Sequence, residues 1–277
     1  SILLLSSLPH YIFQPPHPNP TLSQPPKMPI PKLPLLLRPF LISLLLSLSI
    51  LTFFTLLHSA VLSSPRRLSP PSSDPDSELR IRPGYTSYDA YIQRQLNKTL
   101  NPRLRQIWKT RDWDRKVRVF SSFFASLKTR GLLTNSSRAL SIGARVGQEV
   151  AALRLVGVKD SVGIDLVPSP PLVIRGDFHA QPFANASFDF EFSNVFDHAL
   201  YPDRFVAEIE RTLRPGGVCV LHVSISHRAD KYSANDLFSV GPLRRLFRES
   251  VLVEVRTIDG FGLDTEVVFR KKKKKTK

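Results

Sequence analysis

From residue 138 onward the chain alternates short apolar runs with segments of helical period, a pattern with few folds open to it. Residues 138–143 (RALSIG), 161–165 (SVGID), 172–175, 188–193 (FDFEFS) and 218–223 read as strands. Between them, 148–156 reads as a helix with Val150, Leu153 and Gly157 on one face. Residues 202–213 read as a second, with Phe205, Ile209 and Leu213 at i, i+4 and i+8. Pro215-Gly216-Gly217 is expected to stop that helix. Residues 251–258 and 265–270 read as two closing strands joined by a turn at Asp259-Gly260, which makes the last strand antiparallel. The predicted fold is α/β, a Rossmann-like doubly wound sheet, mostly parallel with an antiparallel C-terminal strand. Upstream, 87–131 reads as two or three helices. The clearest opens at Asp112-Trp113-Asp114, carries Val117, Phe120, Phe124 and Leu127 at helical spacing, and stops at Gly131. Tyr85, Tyr88 and Trp108 read either as core or as the lining of a substrate entrance.

The front of the chain is different text. Fifteen of the 24 prolines fall in the first 75 residues, and all 12 glycines lie at or after Gly84. Residues 1–38 are Pro-rich and cannot build a core. The only methionine is Met28, so 1–27 are expected to be translation upstream of the true start, a genuine extension being the other reading. Residues 39–65 contain no Asp, Glu, Lys or Arg, and 39–62 is read as a transmembrane signal anchor preceding the globular part. Lys27, Lys32 and Arg38 outnumber Arg66 and Arg67 by one, which favours a cytosolic N-terminus. Glycosylation sequons at Asn97, Asn135 and Asn185 agree with a lumenal C-terminal domain, in the Golgi or endoplasmic reticulum. Residues 63–86 read as a linker, 132–270 as the globular domain and 271–277 as a Lys-rich tail.

Composition excludes some classes. A single cysteine, Cys219, rules out an intramolecular disulfide framework and leaves no Cys-pair spacing for structural zinc. The net charge of +16 falls to +10 without the six lysines of the last seven residues, so no specific nucleic-acid partner is expected. The tail reads as a solvated charge run, with a di-lysine retrieval signal or a translated adenosine tract as alternatives.

Open α/β sheets bind ligands beyond the carboxyl ends of their strands. There the chain places Ser141-Ile142-Gly143-Ala144-Arg145-Val146-Gly147, then Asp165, Gly176-Asp177-Phe178 and Asn194-Val195-Phe196-Asp197-His198. A glycine turn opening a helix, with Asp165 22 residues beyond Gly143, is a nucleoside-binding arrangement. Glycine lets the backbone approach the ligand, and the acid accepts from ribose hydroxyls.

On these residues, with Gln181-Pro182-Phe183, Ser187-Phe188-Asp189 and the 211–217 turn (RTLRPGG), the stretch from Ala139 to about Val223 resembles the class I S-adenosylmethionine-dependent methyltransferases. It is most similar to their type 11 branch. The resemblance implies S-adenosyl-L-methionine as cofactor and a small-molecule or glycan acceptor. It implies that Gly143, Ala144, Arg145 and Gly147 cradle the methionine part, and that Asp165 grips the ribose with Leu166 beside the adenine. Asp177 and Phe178 would contact the adenine edge, and Asn194 belongs to the fourth-strand signature. Two positions depart from the family: Ser141 stands where an acid is usual, and Arg145 where a glycine is usual. Arg145 either pairs with the cofactor carboxylate or fills the site. The alternative to an enzyme is a non-catalytic cofactor-fold protein acting as a binding or scaffold subunit.

Methyl transfer places the reactive group on the cofactor, so the protein supplies position and, where needed, a base. Asp197 and His198, with His179 behind, are the candidate bases, although His198 is read first as capping the following helix. His222 is expected in the core and His227 at the pocket mouth. No metal-ligand spacing stands out.

Overall fold

The computed structural model describes residues 43–52, 78–226 and 230–273, and the chain divides into one unit ending at Leu68 and another beginning at Ser69. In the first unit, 43–52 is helical and its leucines are exposed. The rest of the expected anchor lies outside the described residues, as do 1–38, His227 and the last four residues of the tail. Among the described residues no helix is long and apolar enough to cross a membrane.

The second unit runs β1 (Leu79–Ile81), α1 (Tyr88–Thr99), α2 (Pro102–Lys109), α3 (Trp113–Thr129), β2 (Ala139–Ile142), α4 (Gln148–Leu155), β3 (Ser161–Asp165), β4 (Val173–Arg175) and β5 (Phe188–Ser193). A single 3-10 turn (Phe196–His198) leads to α5 (Pro202–Thr212), β6 (Leu213–Val223), β7 (Asn235–Leu237), α6 (Gly241–Leu246), β8 (Ser250–Gly260) and β9 (Leu263–Lys271). Seven strands form one sheet in the order β4-β3-β2-β5-β6-β9-β8. Its pairs are parallel from β4 to β6 and antiparallel where β9 meets β6 and β8, as the alternation requires.

Strand periodicity explains why both faces are covered. In β5, Phe190 and Phe192 share the face beneath α3 and α4, and the register shift between Phe188 and Phe190 lets Phe188 join the core beneath α5. In β6, Cys219, Leu221 and Val223 take the first side, and Val218 and Val220 the second. Phe120, Phe124 and Leu127 of α3, at i, i+4 and i+7, are buried in that second core. At roughly 1.5–3 kcal/mol for each fully buried large side chain, these two layers hold the sheet together. The buried His222 accepts its expected core role, with Nε2 3.0 Å from Glu266 Oε2.

Four sequence expectations shift. The 202–213 helix ends at Thr212, and Pro215-Gly216-Gly217 lie inside the irregular first half of β6, where the β5 register slips between Phe188 and Phe190. The closing hairpin turns at Phe261-Gly262, both at positive φ, two residues later than Asp259-Gly260. Within the expected linker, Leu79–Ile81 pairs with Asn235–Leu237 as a second, two-stranded sheet, and Arg80 and Arg82 both bind Asp236. In the Lys-rich tail, Lys271 is part of β9. Its ammonium donates to the carbonyls of Glu210 and, at 3.0 Å, Leu213, satisfying acceptors left over at the end of α5.

Candidate functional site

The carboxyl ends of β2, β3 and β5 open on one side of the sheet, and two adjoining clefts lie there. The first is lined by Gly143, Arg145, Asp165, Leu166, Asp177, Phe178 and Val195 from the sheet side. Its other wall is α1, through Tyr91, Gln95, Lys98 and Thr99. Counting the open mouth, its empty space is about 560 Å³. Helix α1 is set in place by Ser87, whose Oγ accepts from Ala90 N at 3.1 Å, and its aromatic face packs with Tyr85, Tyr88 and Tyr201.

Gly143 has φ +73°, and a Cβ there would lie 2.4 Å from Val195 Cγ2. Only glycine fits this turn without moving the cleft floor. Arg145 also has positive φ, +48°. Its backbone N donates to Asp165 Oδ2 at 2.9 Å, and Val167 N donates to Oδ1 at 3.2 Å. Each Asp165 oxygen therefore keeps acceptor capacity toward the cleft. Burial pushes the Asp165 carboxyl above its ordinary value, against the two backbone N–H groups and the Arg145 charge. At Asp177 burial works the same way, but hydrogen bonds win and hold it below the usual range. His179 N donates to Oδ1 at 2.8 Å and the Tyr88 hydroxyl donates to Oδ2.

The Arg145 guanidinium lies over the Trp108 ring, 5.2 Å from its centroid, and among the described residues no carboxylate pairs with it. It lines both this cleft and a second one. That second cleft, with about 1300 Å³ of empty space counted the same way, is bounded by Lys98, Trp108, Lys116, Asn194, Tyr232 and Phe261 among others. Lys116 sits over Phe261, and burial followed by repulsion from Arg145 pulls its ammonium down to about 8.

Six of the nine residues expected to touch the cofactor thus line the first cleft, and three do not. Ala144 turns its methyl into a small apolar cluster with Val150 and Val173. Gly147 packs against Leu172, 2.6 Å from where its Cβ would be. Asn194 faces the second cleft and donates to Glu149 Oε1 at 3.2 Å. Ser141 Oγ is buried without a hydrogen-bond partner, so nothing at that position replaces the acid. Tyr88 reaches the first cleft only through Asp177, and Trp108 lines the second. Tyr85 packs with the aromatic cluster behind them.

His198 does not cap the next helix. Its ring turns sideways to α1, where Nδ1 is 3.0 Å from Gln95 Oε1. His179 is committed on both ring nitrogens, to Tyr88 and to Tyr201 N. Asp197, His198 and Asp230 bring ligand-type atoms within 4.8 Å, but Lys98 is already there, donating to Asp230 Oδ2 at 2.6 Å. The α1 wall was not anticipated as part of the site. Its signal is the recurrence of Tyr91, Gln95, Lys98 and Thr99 on one helical face, which mixes an aromatic with polar groups.

Residues 140–221 match the family model described as a methyltransferase domain. Among solved structures, 1,6-didemethyltoxoflavin-N1-methyltransferase of Burkholderia thailandensis, with 1,6-didemethyltoxoflavin and S-adenosylhomocysteine bound, is similar with a TM-score of 0.52. The two share 19% identity over 72% of this chain and 98% of that one. A SAM-dependent methyltransferase of Aquifex aeolicus has a TM-score of 0.43 at 16% identity, covering 53% of this chain and 88% of that one. SAM-dependent methyltransferases of Methanosarcina mazei give 0.42 at 15%, covering 53% and 98%. No curated protein matches the chain. Residues 140–221 thus match a methyltransferase domain, and the fold is shared with the Burkholderia methyltransferase.

Proposed function

We propose that the first cleft holds S-adenosylmethionine and that the second takes a small-molecule acceptor of its methyl group. The observation that carries this reading is the gathering of Gly143, Asp165, Leu166, Asp177 and Phe178 around one cleft that shares a wall with another. The residues fit the group. Asp165 keeps acceptor capacity for a ribose diol, Asp177 offers an acceptor to an adenine amino group, and Leu166, Phe178 and Val195 supply an apolar floor. When bound, the cofactor supplies an electrophilic methyl on sulfonium sulfur. The chain's own part is to hold both reactants in line and keep water out. Arg145, which has no carboxylate at ion-pair distance among the described residues, is assigned to the cofactor carboxylate, and the gap at Ser141 leaves the amino end with one ligand fewer.

The assignment of Arg145 is tested by comparing S-adenosylhomocysteine with 5′-methylthioadenosine, which lacks the amino-acid part. A charge-assisted contact contributes roughly 1.5–3 kcal/mol. Wild type is expected to prefer S-adenosylhomocysteine, and Arg145→Gly should cut that preference by about tenfold or more while leaving methylthioadenosine affinity unchanged. An equal loss for both ligands would remove Arg145 from the carboxylate.

We also propose that 39–62 anchors the chain by a single pass, with the methyltransferase domain in the endomembrane lumen. The uncharged run, the helical 43–52 stretch and the exposed sequon asparagines Asn97, Asn135 and Asn185 support it. The full chain is expected to stay in the membrane pellet after carbonate washing and to gain gel mobility on deglycosylation. Release by carbonate would rule out the anchor.

A further inference from the structure

The two clefts share Lys98, Arg145, Val195 and His198. A methyl group moving from a cofactor in one to an acceptor in the other crosses that boundary, so these side chains meet the reacting atoms. Of the four, only the His198 imidazole can take up a proton near neutral pH.

Its neighbours fix the tautomer. Gln95 Nε2 donates to the Tyr232 carbonyl at 2.8 Å, which turns Gln95 Oε1 toward His198 Nδ1. An amide oxygen only accepts, so Nδ1 carries the proton and Nε2 the lone pair. On the other side Lys98 Nζ lies 3.4 Å from Nε2, and an ammonium only donates, which requires the same tautomer. The backbone that carries the ring is pinned as well. The Tyr91 hydroxyl donates to His198 O at 2.8 Å, and Asn235 Nδ2 donates to Phe196 O and Ala199 O, each at 2.8 Å.

We propose that His198 Nε2 is the general base of the transfer and that the acceptor is a phenolic hydroxyl. This rests on the methyl-transfer reading above. The second cleft brings Trp108, Tyr232 and Phe261 together with Lys116 and Lys231, a lining suited to a flat ring that becomes anionic. As the acceptor oxygen forms its bond to the methyl carbon, the electron pair of the breaking C–S bond stays on sulfur. The hydroxyl proton passes to Nε2, replacing the Lys98 ammonium, which keeps its Asp230 partner, and later passes to solvent. The imidazolium so formed lies 3.8 Å from Asp197 Oδ2. The charged groups facing the ring are Asp197, Lys98, Asp230 and Arg145. Burial, with Lys98 and Arg145, holds the imidazole below its usual range against the two aspartates, so it is neutral and able to accept at pH 7.

The test uses the full chain labelled with 15N-histidine and saturated with S-adenosylhomocysteine. Long-range proton–nitrogen spectra, assigned with His198→Asn, should show Nδ1 protonated and Nε2 bare at pH 7.5. A proton on Nε2 at that pH overturns the proposal. Turnover is read as S-adenosylhomocysteine released with 4-nitrophenol, phenol and 4-methoxyphenol as probes. His198→Asn should lose roughly 10²–10⁴-fold with 4-methoxyphenol and far less with 4-nitrophenol, which is already ionised. A uniform loss, no loss, or a wild type that methylates none of the three overturns it. Calorimetric binding of S-adenosylmethionine to the wild type keeps the two levels apart. Absent binding in wild type sinks the methyl-transfer reading itself.

Discussion

Gly143→Ala should lower the thermal midpoint by about 5–15 °C and abolish measurable S-adenosylmethionine binding. The new methyl would sit 2.4 Å from Val195 Cγ2, and Val195 is a short β-branched residue with no flexible end to swing away. The backbone adds its own penalty, because φ +73° costs an L-residue roughly 1–2 kcal/mol. Overpacking contributes about 1–3 kcal/mol more. Relief of either strain moves the turn or Val195, and both form the cleft wall. Differential scanning fluorimetry with and without S-adenosylhomocysteine reads both effects. A variant with the wild-type midpoint and wild-type ligand shift would mean that the turn does not touch the cofactor.

Asp165→Ala should weaken S-adenosylmethionine binding by at least about tenfold, and by about a thousandfold if both ribose hydroxyls bond the carboxylate, at roughly 1.5–3 kcal/mol each. The same change strands two backbone donors, Arg145 N and Val167 N, that the carboxylate now satisfies. Some loss of stability is therefore expected with the loss of affinity. Asp165→Asn separates the two effects, since its amide oxygen can still accept one of those N–H groups. It should fold close to wild type and still bind poorly. Isothermal titration of both variants, alongside their unfolding curves, checks this. Full affinity in Asp165→Asn would show that the charge is not what holds the ribose.

The sheet was legible because its signal is local. Cys219, Leu221 and Val223 alternate with Val218 and Val220 and go to opposite cores, and Phe120, Phe124 and Leu127 repeat at the helical period that buries them. Gly143 and Asp165 were legible for a related reason, since each ends a strand on the same side of the sheet. Ala144 and Asn194 were misplaced because strand position does not decide which way a side chain leaves the turn, and both turn toward α4 and its surroundings. The α1 wall lay beyond local reading altogether. Gln95 meets His198 across 103 residues, and Tyr88 meets Asp177 across 89. Local pattern carries no information about contacts of that span. The Pro215-Gly216-Gly217 run misled because residues that end a helix can equally begin an irregular strand, and here Leu213 already pairs with Phe188.

The claim on which the rest depends is that the cleft between Asp165 and α1 holds S-adenosylmethionine. Titrating the full chain with S-adenosylmethionine in a calorimeter tests it directly. The expected result is one site per chain with Kd of about 1–100 μM, roughly −5.5 to −8 kcal/mol, weakened in Asp165→Asn and displaced by S-adenosylhomocysteine. A folded wild type that takes up no ligand at about 1 mM, roughly −4 kcal/mol, would contradict it.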